Sequence, residues 1–265
     1  MTGGPPRARR SGKPASAKAT DPRPLLVFLH GTRLTGGQWA AQIDALSADY
    51  RCLAPDLPGH GEAVDVPFTV GVAGDRVIEL LDREAPESPG GKALLVGLSL
   101  GAYVALEVAA RRPDLVAGIA ASGVTAEPVG LRSLAFRGLA LIFRAVPAEA
   151  LERVNRWFFR WRYAPAIAEP ILAGGFWFPG GSVAVDSLVG ERFKPRLAAY
   201  PGPSLLLNGE FDLFFRPTEP GFAAAAVDAR RVLIRRATHL ANLDQPAAFS
   251  AAVRRFATRV FATPE

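Results

Sequence analysis

The sequence predicts an α/β protein: a mostly parallel sheet covered by helices on both faces, with a helical insertion between two of the strands. Three observations carry this prediction. Short apolar runs alternate with stretches of helical spacing, the pattern of parallel strands buried between helices. One interval between runs is about 80 residues long, far more than a loop or a single crossover helix. A serine between two glycines, in VGLSLG, ends one run and opens a helical stretch.

The runs give six candidate strands: PLLVFLHG (24–31), YRCLAPD (50–56), KALLVG (92–97), LVAGIAAS (115–122), PSLLLNG (203–209) and RVLIRR (231–236). The helix after KALLVG extends to about Arg112, where Pro113 helps to end it. The long interval contains RSLAFRGLALIFRAVPAEALERVNRWFFRWRYAP (132–165), two or more helices broken near Pro147. Its Trp157, Phe158, Phe159, Trp161 and Tyr163 are expected to pack the insertion onto the body. In the last helix Phe249, Val253, Phe256 and Val260 share a face, and Asp244 is placed to cap its start. The division that results is a basic tail over 1–23, a core segment over 24–124, the insertion over 125–198 and a second core segment over 199–265.

With 265 residues, 49% of them hydrophobic, the chain buries a large core, which excludes fibrous and wholly disordered classes. The net charge of +6 suggests nucleic acid until it is mapped. Arg7, Arg9, Arg10, Lys13 and Lys18 lie in the first 20 residues without an acid, so the other 245 carry a net +1. Nucleic acid is therefore not an expected partner, and the tail, rich in Pro, Gly, Ser and Ala, is expected to be disordered. No apolar run reaches the roughly 18 residues of a membrane span, and the N-terminus lacks the apolar centre of a signal peptide. A soluble, cytoplasmic protein is expected. Cys52, the lone cysteine, lies in the apolar RCLAPDL and reads as a buried filler. Neither metal-ligand spacing such as H-E-x-x-H nor a glycine-rich nucleotide loop follows a strand, so no cofactor is expected.

Ser99 follows the KALLVG run and opens the next helix. Such a turn needs strained backbone angles, and Gly97 and Gly101 relieve the crowding between strand and helix. The unpaired amides that open the helix favour negative charge. Serine is a weak nucleophile at neutral pH, so it needs a base, and the base needs an orienting acid. Of the three histidines, His30 and His60 precede the serine in FLHGT and LPGHGE, whereas His239 follows the last run in RATHLANLDQP. Asp212, in LLLNGEFDLF, is the candidate acid. The order Ser99, Asp212, His239, each just past a different strand, is the order of one particular fold. His60 reads as a turn residue bonded to the backbone, and His30 as an orienter of the loop after the first strand. Arg33, next to Thr32, either meets an anionic substrate in the pocket or lies at the surface. Phe211, Leu213, Phe214 and Phe215 read as a well-packed loop around Asp212.

These segments resemble the α/β-hydrolase superfamily over nearly all of residues 24–262. FLHGT (28–32) is similar to its oxyanion loop, DLPGHG (56–61) to a turn of its small-molecule hydrolases, and GLSLG (97–101) to its nucleophile elbow. GEFD (209–212) is similar to its acid turn and THLANLDQP (238–246) to its histidine loop. The resemblance implies a serine hydrolase in which His239 takes the proton from Ser99 and Asp212 holds His239. The amides of Leu100 and Thr32 then stabilise the oxyanion, at roughly 3 kcal/mol each. Glu127, in SGVTAEP, is an alternative acid, because some members carry it one strand earlier. The insertion sits where the family has its cap, with apolar side chains from 131–163 roofing the pocket. Members usually begin with two further strands. Residues 1–23 look too polar to supply them, which gives a sheet of six to eight strands with about six favoured.

The substrate class implied is an ester, thioester or lactone of a small to medium apolar molecule. C–C bond hydrolases, perhydrolases and acyltransferases share these motifs, and non-catalytic ligand-binding members share the fold. Epoxide hydrolases and dehalogenases carry aspartate where this chain has Ser99.

Overall fold

The strands β1 (Leu25–Leu29), β2 (Arg51–Leu53), β3 (Ala93–Leu98), β4 (Val116–Ser122), β5 (Pro203–Gly209) and β6 (Asp228–Ile234) form one sheet in the order β2-β1-β3-β4-β5-β6. Every neighbouring pair is parallel. They belong to a computed structural model that describes residues 21–262. The tail expected over 1–23 lies outside the described residues as far as residue 20.

The central strands β1, β3 and β4 are apolar because both faces of the sheet are covered there, whereas the edge strand β6 carries Asp228, Arg230 and Arg231. Leu25, Val27 and Leu29 of β1, with Ala93 and Leu95 of β3, pack toward α2 (Val70–Glu84) and α3 (Leu100–Arg111). The alternate residues Leu26, Phe28, Leu94 and Val96 pack on the other side with α1 (Ala40–Leu46) and the last helix, Pro246–Phe261. Side chains that alternate across these central strands then leave no solvent face. After β1 the chain moves outward to β2 and returns on the other side to β3. In such sheets ligands bind at the carboxyl ends of the strands, at the point where the order reverses. Leu29 and Gly97, partners in the β1–β3 register, mark that point.

Between β4 and β5 lie α4 (Ser133–Ala145), α5 (Ala148–Arg162), α6 (Pro165–Gly174), α7 (Phe178–Leu188) and α8 (Lys194–Ala199). Helix α4 runs along α7, tied by Ser182 Oγ donating to Ala140 O (3.0 Å) and by the Arg144–Asp186 ion pair. The aromatic cluster of α5 divides by helix face. Phe159 and Tyr163, four apart, turn inward and are buried. Trp157 and Trp161, also four apart, do not pack onto the body as expected. They are 65% and 69% exposed and stack on one another at 5.9 Å, because their spacing puts both on the outer face.

Helix α9 (Glu219–Ala223) precedes β6, and α10 (Ala241–Asp244) and α11 (Pro246–Phe261) complete the described chain. Phe249, Val253 and Phe256 are buried as their spacing predicts, and Val260 packs beside them. Asp244 does not cap α11. It ends the one-turn α10 and turns back to accept from Thr238 N (2.7 Å) and Thr238 Oγ1 (2.6 Å), while Gln245 stands at the cap position. Among the described residues no helix is long and apolar enough to cross a membrane.

Candidate active site

Ser99 stands between β3 and α3 with φ 52° and ψ −115°, a positive φ that is rare outside glycine. It persists because the surroundings fix it. Ser99 N donates to Ser122 O (2.8 Å), and a Cβ on Gly101 would come within 2.0 Å of Leu29 O, so only glycine lets α3 begin this close to β1. The strain holds the serine side chain out at the carboxyl edge of the sheet.

His239 follows β6 and Asp212 follows β5. His239 Nδ1 lies 2.8 Å from Asp212 Oδ2, and the backbone amide of Phe215 donates to Asp212 Oδ1 at 3.2 Å. With Nδ1 facing a carboxylate, the proton of a neutral imidazole is assigned to Nδ1 and Nε2 is left as the acceptor. The Phe215 ring stacks on the imidazole at 4.8 Å between centroids and 17° between planes. Phe215 is itself held by Thr125 Oγ1, which donates to its carbonyl at 2.7 Å. The rest of the acid turn differs from expectation. Phe211 and Leu213 are exposed, and Phe214 is only partly covered, by Phe136 (5.9 Å between centroids) and Phe215 (5.0 Å).

Glu127 does not meet His239. Its Oε1 accepts from Phe193 N and Lys194 N, both at 3.0 Å, and so holds the first turn of α8.

Ser99, Asp212 and His239 line one cavity of about 290 Å³, together with Thr32, Arg33 and Leu100. The roof is apolar: Ala135, Phe136 and Leu139 from α4, Val185 and Leu188 from α7. None of the five aromatics of α5 and its end reaches this lining. Among the described residues the amides of Thr32 and Leu100 make no hydrogen bond, and Ser99 Oγ and the His239 ring do not bond to each other. A larger cleft of about 690 Å³ lies beyond Asp212, lined by Leu213, Arg216 and Arg231, but neither Ser99 nor His239 borders it. Among the described residues no three His, Cys, Asp or Glu side chains gather as a metal site requires.

The loop carrying Thr32 is fixed by two neutral histidines. His30 Nε2 accepts from Leu57 N (2.9 Å) and its Nδ1 faces Gly31 O (2.9 Å). Burial pushes its pKa down to about 3, with the neighbouring His60 adding to the shift. His60 Nε2 accepts from Arg33 N (3.1 Å), its Nδ1 faces Pro58 O (2.9 Å), and burial lowers its pKa also. Both rings therefore do the backbone work anticipated for them. Trp177 N donates to Arg33 O (2.9 Å) and Thr32 Oγ1 donates to Gly181 O (3.3 Å), tying this loop to the insertion, and Gly180 abuts Gly59 of the 56–61 turn. A Cβ on Gly180 would lie 1.8 Å from Gly59 O.

A buried amide cluster that sequence reasoning missed links the same loop to the one after His239. Gln38 Oε1 accepts from Gly31 N (2.8 Å), and Asn242 Nδ2 donates to Gln38 O (3.2 Å) and Gln42 Oε1 (3.3 Å). The signal was present but ambiguous: Asn242 is a polar residue inside an otherwise apolar turn of THLANL.

A parallel sheet with a strained serine past β3 and an acid–histidine pair past β5 and β6 is the architecture of an α/β-hydrolase. The model of the alpha/beta hydrolase family matches residues 26–252, and the chain belongs to that family. It is 27% identical over 252 residues to a pimeloyl-[acyl-carrier protein] methyl ester esterase of Edwardsiella ictaluri, covering 88% of this chain and 92% of that protein. It is 27% identical over 256 residues to 3-oxoadipate enol-lactonase 1 of Acinetobacter baylyi, covering 91% of each. A match to an AB hydrolase superfamily protein of Gibberella zeae, 33% identical over 100 residues, spans 37% of this chain and 34% of that protein. Among solved structures, a thermophilic esterase from Thermogutta terrifontis superposes with a TM-score of 0.75 at 24% identity, covering 92% of both chains.

Proposed function

We propose that the protein is a serine hydrolase that cleaves an ester, thioester or lactone of a small to medium, largely apolar molecule through an acyl-enzyme on Ser99. The observation that carries this reading is the Asp212–His239 pair at 2.8 Å, bordering the same cavity as the strained Ser99. His239 Nε2 takes the Ser99 proton as Oγ attacks the carbonyl carbon, and the oxyanion that forms is met by the amides of Leu100 and Thr32. Collapse expels the alcohol or thiol, which leaves with the proton held by His239. Water attacks the acyl-enzyme by the same route in reverse and frees the acid and Ser99. Residues 125–198 act as the cap: their apolar side chains exclude water, which strengthens the electrostatics beneath them.

The esterase and enol-lactonase relatives support ester-type substrates. Labelling with a fluorophosphonate, followed by a screen of p-nitrophenyl esters of rising acyl length alongside simple lactones, tests the proposal. Rapid labelling at Ser99 with turnover of at least one substrate is expected. A protein that resists labelling and turns over nothing is a ligand-binding member of the fold, and the reading fails.

A further inference from the structure

Among the described residues Arg33 is a cation without an anion. Its neighbours are fully accounted for: the backbone N–H is held by His60 and the carbonyl by Trp177. Its φ of 60° costs a non-glycine residue about 1 kcal/mol, so the root of the side chain is fixed at some expense. The side chain is half-buried, lines the Ser99 cavity, and makes one hydrogen bond, from Nε to the neutral Asn155 Oδ1 at 3.2 Å. Among the described residues no acid pairs with it, whereas Arg51, Arg111, Arg112, Arg162 and Arg196 each hold at least one carboxylate.

The acid that belongs to this neighbourhood is already taken. Asp244 receives Arg162 Nη2 (2.8 Å), Tyr163 OH (3.1 Å) and two donors of Thr238. It is thus saturated by a different arginine. Desolvation pushes the Arg33 pKa down to about 10, which still leaves it charged at neutral pH. A desolvated charge without a partner is costly unless a partner arrives with the ligand. Among the described residues the two terminal nitrogens of the guanidinium donate to no group, and that pair of donors matches a carboxylate in the bidentate fork geometry. Elsewhere the cavity wall is apolar, apart from the Ser99, Thr32 and Asp212–His239 groups already assigned, so Arg33 is its one unsatisfied charge.

We propose that the cavity over Ser99 takes esters or lactones that carry a free carboxylate, and that Arg33 binds this carboxylate while Ser99 attacks the ester carbonyl. The inference rests on the serine-hydrolase reading and narrows its substrate class. Arg33 acts on specificity and takes no part in moving protons.

The test compares two activated esters of equal length, a mono-p-nitrophenyl dicarboxylate with a free terminal carboxylate and its terminal methyl ester. In the wild type, kcat/KM is expected to favour the anionic ester by about ten- to hundredfold, the range of one hydrogen-bonded charge pair. Arg33→Gln is expected to bring the ratio close to one, mainly through KM, and Arg33→Lys to restore part of it. Reading the ratio within each variant cancels any general loss of activity. A wild type without the preference overturns the carboxylate site while leaving the hydrolase reading intact. So does an Arg33→Gln variant that keeps the preference. Calorimetric binding of a dicarboxylate monomethyl ester to Ser99→Ala supplies a readout free of turnover. Binding that depends on Arg33, in a protein that hydrolyses neither ester, sustains the carboxylate site and sinks the hydrolase reading.

Discussion

Asp212 holds His239 by Nδ1 at 2.8 Å, and the ring's other nitrogen is left for the cavity. Replacing Asp212 with Asn removes the charge that orients and stabilises the imidazolium. It is expected to lower kcat about ten-thousandfold, as in other triads. Glu127→Gln, measured on the same ester, is expected to leave kcat near wild type, because Glu127 serves the α8 backbone. A crippled Glu127→Gln beside an active Asp212→Asn would move the acid to the other strand.

Ser99→Ala should abolish ester hydrolysis and fluorophosphonate labelling together. Folding should persist, since the serine side chain bonds to no group among the described residues and sits at the carboxyl edge of the sheet. Circular dichroism and thermal melting check the fold. A variant that keeps most of its kcat disproves the nucleophile.

The two buried histidines tie stability to pH. The pKa of His30 falls from 6.5 to about 3 in the folded protein. Between these values the unfolded chain binds a proton that the native state refuses, so stability must drop as the pH falls from about 6.5 toward 3. The slope from this group approaches 1.4 kcal/mol per pH unit. His60 shifts in the same direction and adds to it. Urea denaturation at pH 7 and pH 4.5 should show a smaller loss for His30→Gln than for wild type. Equal losses would show that His30 titrates normally in the native state.

Two glycines of the insertion should respond to alanine with opposite signs. A Cβ on Gly180 would collide with the Gly59 carbonyl, and Gly180→Ala should cost about 1–3 kcal/mol by forcing the backbones apart. Gly138, in α4, has nothing within 4 Å of its would-be Cβ, and Gly138→Ala should add about 0.5–1 kcal/mol through helix propensity. Chemical denaturation of the pair tests the contact directly. The same sign for both would remove it.

The sheet was legible in the sequence because burial on both faces leaves uninterrupted apolar runs, as in Leu25–Leu29, and glycine and proline punctuate them. Ser99 was legible because its turn demands small neighbours. What escaped was set by partners distant in sequence. Trp157 and Phe159 are alike as residues, and only the helix phase sends one to solvent and the other to the core. Asp244 looked like a helix cap until Thr238, Tyr163 and Arg162 were seen to share it. The choice left open for Arg33, pocket or surface, depended on Asn155, 122 positions away. Phe215 stacks on His239 from 24 residues away, across β6, and no local pattern reports it.

The joining of α7 to the loop that holds Thr32 and Arg33 bears on the timing of turnover. Because Trp177 donates to Arg33, Thr32 donates to Gly181, and Gly180 touches Gly59, the start of α7 is tied to the loops after β1 and β2. A hinged swing of α7 would drag the Thr32 amide away from Ser99, so the site cannot be open and assembled at once by that route. Leu139 and Phe214 line the cavity and are both partly exposed. Exposed side chains change rotamer in picoseconds to nanoseconds, whereas lids swing in microseconds to milliseconds. Product escape by side-chain rotation alone would leave chemistry to set the rate, and a kcat unchanged by added viscogen is the expected sign of it.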